Sequence, residues 1–352
     1  LSDTTKVAGG SGQVDIVDRH PQPVCGQPTT GGECVPRLSI IVPFQHRIAS
    51  LEATLLSLLE NRPHDCEVVL VHADCYHDPY QLDGDELLLI NAGANRSLVA
   101  LANEGLAAAA GRIVHVLLPG TTVESGWWEQ PMELLADDAL AAVSCRVRTS
   151  AQHDCVGWSS EQLPKPMAVS GRHSMSDPVA PQLIGSFYRR KVLLALQGWL
   201  EQESLLLADL DFGLALRSLD LASAVADQSR VDATQLDSPY EGPSYARGQR
   251  LGQLAVAYAE LPRSGVRLDD NLVAKLGQLA TALSSPQGVA ERLGWVIGSR
   301  NHSLVEQIGR RMGRAGQLFG GGAEIAVPAS HRYGPATSGP EFEQSSSARQ
   351  AA

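Results

Sequence analysis

Four side chains able to ligate a metal or move a proton crowd one short stretch: His72, Asp74, His77 and Asp78, at the end of the apolar run EVVLVH. Imidazole and carboxylate suit a transition metal such as zinc, although the spacing matches no standard zinc site. Beyond the carboxyl end of a strand in an open α/β sheet, the same groups reach a nucleotide. His72 is then placed to stack on the base or bond to it. A solvated polar loop is the third reading, and spacing alone leaves all three open.

A second constellation is basic. Arg189-Arg190-Lys191 is a compact cationic run, and guanidinium forks match phosphate oxygens two at a time. Its plainer reading is a solvated helix start. Asp209 and Asp211 open a late helical pattern, where the helix dipole favours a carboxylate. Trp127-Trp128 reads as one core anchor beside one surface ring. Gly9-Gly10-Ser11-Gly12 lacks the following Lys-Ser/Thr and any preceding strand, so it is not a phosphate loop. No G-x-S-x-G elbow marks a serine hydrolase. Six cysteines without a CxxC pair read as free thiols of a reducing compartment; Cys25 and Cys34 would pair only in an exported protein.

Such groups need a scaffold, and 352 residues that are 43% hydrophobic and 19% charged supply one. The 28 Lys and Arg against 39 Asp and Glu leave a formal charge of −11. With no basic stripe, a nucleic-acid partner is excluded. No apolar run is long enough to span a membrane, and LSDTTKVAGGSG lacks a signal-peptide pattern. The expectation is a cytoplasmic protein; the initial Leu is equally consistent with a processed or fragmentary start.

The elements alternate in type. LSIIVP at 38–43 is a buried strand ended by proline, and residues 48–60 place Leu51, Leu55, Leu58 and Leu59 on one helical face. Strands follow at 67–72, 86–90 and 113–118, with a helix at 97–110. Further on come a helix over 126–139, a strand over 141–148, a long irregular loop or lid over 150–182, a helix over 209–219 and a short strand at 223–226. This order marks an α/β domain with a mostly parallel sheet. Residues 1–36 read as a flexible leader and 317–352 as a disordered tail. The helical pattern over 245–316 reads as an appendage or a partner-binding extension.

This succession resembles family 2 glycosyltransferases over roughly 190 residues. SIIVPFQHR at 39–47 is similar to the family's opening strand and polar turn, and LEATLLSLLEN at 51–61 to the helix that follows. CEVVLVHADCYHDPY at 66–80 stands where the second strand and its nucleotide-contacting acidic turn belong. NEGLAAAAGRIVHVLL at 103–118 matches the helix leading into the next conserved strand. GSFYRRKVLLALQGWLE at 185–201 and LADLDFGLALR at 207–217 are similar to the acceptor-side region and its acidic helix start. The resemblance implies a GT-A-like, Rossmann-type α/β domain over 37–244 with a mostly parallel sheet, followed by the helical extension over 245–316, between disordered tails.

It also implies a nucleotide-sugar donor, a glycan or lipid-linked acceptor, and inverting transfer. Asp209 would be the general base on the acceptor hydroxyl. Pro43, His72 and Asp74 would contact the nucleotide, and Arg189 and Arg190 the diphosphate. The departures carry equal weight. Family members hold Mg²⁺ or Mn²⁺ with an Asp-x-Asp motif, but the same place here reads Leu117-Leu118-Pro119-Gly120-Thr121-Thr122. No metal ligand and no cofactor is therefore expected. Two readings follow: an enzyme that works without the metal, or a catalytically inactive relative that binds a nucleotide or glycan, or engages a partner through residues 245–316.

Overall fold

A computed structural model describes residues 36–149, 154–158, 166–168, 180–201, 204–236, 240, 242–261, 264, 266 and 285–319. The tails expected at 1–36 and 317–352 lie almost wholly outside these residues, as does the helical pattern at 269–284.

Strands β1 (Leu38–Phe44), β2 (Cys66–His72), β3 (Leu88–Asn91) and β4 (Ile113–Val116) alternate with helices α1 (Ile48–Asn61) and α2 (Leu98–Ala108). Then come β5 (Thr122–Val123), α3 (Glu129–Leu134), β6 (Leu140–Thr149), β7 (Asp154–Trp158), β8 (Pro166–Ala168), β9 (Ser186–Arg189), α4 (Arg190–Ala195), α5 (Leu205–Ser218) and β10 (Ala222–Ala233). Helices α6 (Tyr245–Ala259), α7 (Pro286–Gly298) and α8 (Val305–Phe319) close the described chain.

The sheet order is β3-β2-β1-β4-β9-β6-β10-β5, with β7 and β8 added beyond β6. Strands β1 to β4 pair in parallel, and β10 pairs in parallel with β6. Because β9 runs antiparallel to both β4 and β6, all six long-path strands point one way. Their carboxyl ends form one edge. The path steps from β1 to β2 and β3 on one side, then returns to place β4 on the other. That reversal makes the β1–β4 gap the switch point where an open α/β sheet takes its ligand.

Local chemistry explains the frame. Every residue of β1 is buried, as expected of a strand covered on both faces. Leu38, Ile40, Val42 and Phe44 pack with Leu51, Leu55 and Leu58 of α1, while Ile41 turns to the opposite core with α2 and α5. Pro43 is tolerated because β4 ends at Val116, opposite Ile41. The missing N–H of Pro43 therefore falls past the end of that ladder. Gly105 lets α2 lie against the sheet, since a Cβ there would collide with the Ile41 side chain.

Helices α6 to α8 share this core rather than standing off it. Leu251, Leu254, Tyr258, Trp295, Ile308 and Met312 are buried in the same cluster as α2 and α5. Helices α6 and α7 meet through Gly248 and Gly252 against Gly294 and Gly298, where any Cβ would fall within backbone atoms of the facing helix. Ser244 and Ser285 cap these two helices, accepting from the Arg247 and Gly288 amides at 3.1 and 3.0 Å.

Several expected elements differ. The helix at 126–139 shrinks to Glu129–Leu134. The stretch 150–182 contains β7 and β8. The strand expected at 223–226 runs on to Ala233, through an irregularity between Ala226 and Arg230 that absorbs the polar residues Asp227-Gln228-Ser229. Helix α5 begins at Leu205, a turn earlier than Asp209, because the buried run Leu205-Leu206-Leu207 belongs to it.

Candidate functional site

The switch point opens into a cleft of about 290 Å³. Pro43 lines it from β1, Gln45, His46, Arg47 and Ser50 from the turn into α1, Leu98 from α2, Leu118 and Pro119 from the end of β4, and Gln235 and Leu236 from the turn after β10. Gln45 reaches across it to donate to the Arg96 carbonyl at 2.6 Å. Arg47 holds a left-handed backbone, φ 74°, where α1 starts. The cleft thus presents two basic side chains, His46 and Arg47, and no acidic one.

Of the nucleotide contacts suggested by the sequence, Pro43 lines the cleft. His72 and Asp74 stand on the same edge, one strand away. The His72 ring is buried against Tyr76 with centroids 6.1 Å apart, and its Nδ1 has no hydrogen-bond partner. Burial lowers its pKa, with Asp74 pulling the other way. Asp74 is exposed and accepts from Asn91 Nδ2 at 3.0 Å. Among the described residues no group of three potential metal ligands gathers in this stretch, and Asp78 Oδ2 accepts from the Asp83 amide at 2.9 Å.

Arg189 and Arg190 lie at the opposite edge, away from any diphosphate in the cleft. Arg189 pairs with Ile113, the first residue of β4, and the Arg190 amide donates to the Arg112 carbonyl. The Arg189 guanidinium closes the end of α3, donating to the carbonyls of Leu135, Asp137 and Leu140 at 2.8 to 3.0 Å and pairing with Asp138 at 2.9 Å. A basic run beside a sheet does not reveal which edge it occupies; strand direction decides that.

Asp209 is the carboxylate that the fold isolates. It sits in the second turn of α5, so the dipole at a helix start does not account for it. The residue is 1% exposed. Trp158 Nε1 donates to Oδ2 at 2.8 Å, the Tyr240 hydroxyl donates to the same oxygen at 2.9 Å, and the Leu183 amide donates to Oδ1 at 2.7 Å. The two rings meet edge to face, 4.8 Å apart. All three donors are neutral. Burial pushes the carboxyl up to about 7, against the pull of these three bonds. Tyr240, half-buried, covers it from outside. The site lies on the carboxyl edge, since the Gly185 amide, two residues beyond Leu183, donates to Val116 at the end of β4.

Asp211, two residues on, has a different role. It is fully buried and paired with Arg311 of α8 at 2.7 Å, and it accepts from the Tyr258 hydroxyl of α6 at 2.8 Å. Trp127 is a core residue, tilted against His115 and Phe187, and burial pulls His115 down to about 3, so it stays neutral. Among the described residues Cys66, Cys75, Cys145 and Cys155 are free thiols.

The loop where the resemblance implies a divalent ion does not fit one. Leu117 and Leu118 are buried. The Thr121 hydroxyl donates to the Leu118 carbonyl at 2.7 Å. The Thr54 hydroxyl of α1 donates to the Thr121 carbonyl and accepts from the Gly120 amide. Nearby, Asp232 accepts from the amide and hydroxyl of Thr234. The loop itself offers a hard cation no side-chain carboxylate, and no group of three potential ligands gathers among the described residues.

Sequence reading missed Gln45, His46 and Arg47 as cleft residues, and Trp158 and Tyr240 as partners of Asp209. The first three had a signal: they follow a strand-ending proline in the motif SIIVPFQHR. Trp158 and Tyr240 had none, being 51 and 31 residues from Asp209.

No family model matches the chain, and no curated protein matches it by sequence. Its structure does have counterparts. GalNAc-T7, solved with UDP, GalNAc and Mn²⁺, superposes with a TM-score of 0.51 at 11% identity, over 78% of this chain and 57% of that one. S. aureus TarS in complex with UDP-GlcNAc gives 0.51 at 13% identity, over 78% and 83%. A mannosyltransferase from Pyrobaculum calidifontis, with GDP-Man and Mn²⁺, gives 0.48 at 14%, over 76% and 87%. No described helix is long and apolar enough to cross a membrane. The chain has the GT-A glycosyltransferase fold, in divergent form.

Proposed function

We propose that this protein transfers a sugar from a nucleotide-sugar donor to an acceptor hydroxyl, without a divalent metal and with Asp209 as the general base. The observation that carries this reading is Asp209 itself: a buried carboxylate with only neutral partners among the described residues, raised to about 7, on the carboxyl edge that also opens the cleft. A carboxylate kept for structure is ordinarily paired, as Asp211 is with Arg311. One held unpaired near neutrality suits proton abstraction.

In the reaction the acceptor oxygen bonds to the anomeric carbon as its proton passes to Asp209. The bond from that carbon to the diphosphate oxygen breaks, and the diphosphate leaves with the electron pair. Arg47 in the cleft supplies the positive charge for that leaving group, with His46 beside it, a role the sequence reading gave to Arg189 and Arg190. For the acceptor to reach Oδ2, its hydroxyl replaces the Tyr240 hydroxyl, one O–H donor exchanged for another. Trp158 and Leu183 keep the carboxylate in place throughout.

A second reading, a binding module without turnover, draws support from two observations. Asp209 is closed over by Tyr240, and Leu293 and Ile297 are about half exposed one turn apart on α7, the kind of apolar pair a partner protein covers.

A thermal-shift titration with UDP, GDP and their sugars, with and without Mn²⁺, tests the donor site. A ligand at about 100 times its Kd stabilises the folded state by about 2.7 kcal/mol, a shift of several degrees. One nucleotide should shift the melting point irrespective of Mn²⁺, and the shift should shrink in Arg47→Gln. Absence of any shift would remove the donor reading.

A further inference from the structure

Helix α1 turns one face to the sheet and leaves the other open. Ile48 and Leu56 on the open face are 50% and 63% exposed, Tyr80 in the connection from β2 to β3 is 60% exposed, and Leu88 of β3 is 43% exposed. Between α1 and that connection runs a groove of about 470 Å³, lined by Ala49, Glu52, Ala53, Leu56, Tyr80 and Leu82 among others. The Tyr80 hydroxyl donates to Glu52 Oε1 at 3.1 Å and ties the two walls together. Ala49 and Ala53, one helical turn apart, keep the floor low. Leu59, in the last turn of α1, lines both this groove and a second depression of about 660 Å³, which it shares with Glu60, Arg62, Glu67, Asp85 and Glu86.

The surround is acidic. Residues 48–91 hold nine of the chain's 39 carboxylates and one of its 28 Lys and Arg, so most of the net charge of −11 arises here. That one base, Arg62, is paired with Glu86, and Asp65 is paired with Arg37 at 3.4 Å. Glu52, Glu60, Asp78, Asp83 and Asp85 have no cationic partner among the described residues. Glu52, Asp78 and Asp83 accept from the Tyr80 hydroxyl and the Asp83 and Leu89 amides, neutral donors that leave their charge in place. Every residue from 36 to 149 is described, so no neighbouring stretch of this part of the chain is left out of the balance. None of the groove residues lines the cleft at the switch point.

We propose that this groove docks an amphipathic helix of a partner protein, apolar on the face that enters the groove and carrying Lys or Arg along its flanks. Exposed apolar patches with a polar rim mark interaction sites, and a trough beside a helix takes another helix by seating side chains between its ridges. Helix α1 has 14 residues, about 21 Å at the usual rise, room for about four turns of a partner. Cationic side chains on the partner's flank meet Glu52 and the pair Asp78 and Asp83, which bracket Tyr80 and Leu82 in the chain. At the Leu59 end they meet Glu60 and Asp85. The same carboxylates repel an anionic membrane face, so the surface selects a basic peptide over a lipid one. Docking here is independent of the activity assigned to Asp209.

The test is fluorescence anisotropy of a labelled leucine–lysine peptide, patterned as an amphipathic helix of about four turns, titrated with the full chain. A scrambled peptide of the same composition controls for charge alone. Leu56→Ser removes an apolar anchor, and Glu60→Gln with Asp85→Asn removes two free carboxylates. All three side chains are exposed, so the fold should hold. The amphipathic peptide should bind at least about tenfold more tightly than the scrambled one, and Leu56→Ser should weaken it about tenfold. The acid double variant should weaken it several-fold and flatten its salt dependence. Failure of the amphipathic peptide to bind, equal binding of the scrambled peptide, or affinity unchanged in either variant overturns the proposal. So does co-sedimentation with phosphatidylcholine vesicles that depends on Leu56, which gives the surface to a membrane. A dimer of the free chain that Leu56→Ser dissociates overturns it too, and gives the surface to a second copy.

Discussion

Asp209 and Asp211 stand two residues apart on α5, both buried, yet among the described residues only Asp211 is neutralised by a cation, the Arg311 guanidinium 2.7 Å away. Helix α5 thus carries one carboxylate that ties the C-terminal helices to the sheet and one whose described partners, Trp158, Leu183 and Tyr240, are all neutral. The difference separates architecture from chemistry within a single turn.

The Asp211–Arg311 pair is an anchor whose loss is costly. Arg311 also donates to the carbonyls of Leu196 and Gly198, at 2.8 and 2.9 Å. Arg311→Met leaves a buried carboxylate unpaired and should destabilise the fold by about 3–5 kcal/mol. Urea denaturation measures it, and a loss below about 1 kcal/mol would show that α8 is held mainly by its apolar face.

The pH dependence of stability follows from Asp209. Its carboxyl is raised from the ordinary 3.8 to about 7, so the folded state keeps a proton that the unfolded state releases. Its contribution is therefore full below about pH 4 and is lost as pH rises towards about 7. The loss is on the order of 4 kcal/mol. Asp209→Asn should flatten this slope in melts recorded from pH 4 to 8. An unaltered slope would mean that another group carries it.

Trp158 and Tyr240 bond the charged form of Asp209, which holds its pKa down against burial. Tyr240→Phe keeps the ring and removes the donor, so the Asp209 transition should move to still higher pH, as should that of Trp158→Phe. Carboxyl-carbon NMR of the labelled aspartates reads this directly. A drop in melting temperature with no movement of the transition would reduce both residues to packing roles.

The glycine contact between α6 and α7 admits no side chain. Gly248→Ala places a Cβ within the Glu291 carbonyl, next to the Arg247–Glu291 ion pair. Backbone cannot yield as a side-chain tip does, so a loss of about 3 kcal/mol or more is expected. Gly242→Ala, where a Cβ meets nothing, serves as the neutral control.

The sheet was legible where burial wrote it plainly. Continuous apolar runs such as SIIV and EVVLV have to be strands covered on both faces, and their order gave the α/β class. Strand β10 was cut short in the reading because Asp227-Gln228-Ser229 breaks its apolar pattern, although an irregularity carries the strand through. The candidate site was legible only in part. Pro43 and Asp209 stand in local motifs, whereas Trp158 and Tyr240 reach Asp209 through tertiary folding alone. The charge of Arg189 was visible in the sequence, but not that it faces the opposite edge. Nor could local pattern distinguish Asp211 from Asp209, because Arg311 lies 100 residues away.

The most direct test of the central claim is release of nucleoside diphosphate from a panel of nucleotide sugars, with water as acceptor, in the presence of EDTA. The account predicts release from one nucleotide class, unaffected by EDTA and slowed about 10²- to 10⁴-fold by Asp209→Asn. Tight nucleotide binding with no release, or release that Asp209→Asn leaves untouched, would contradict it.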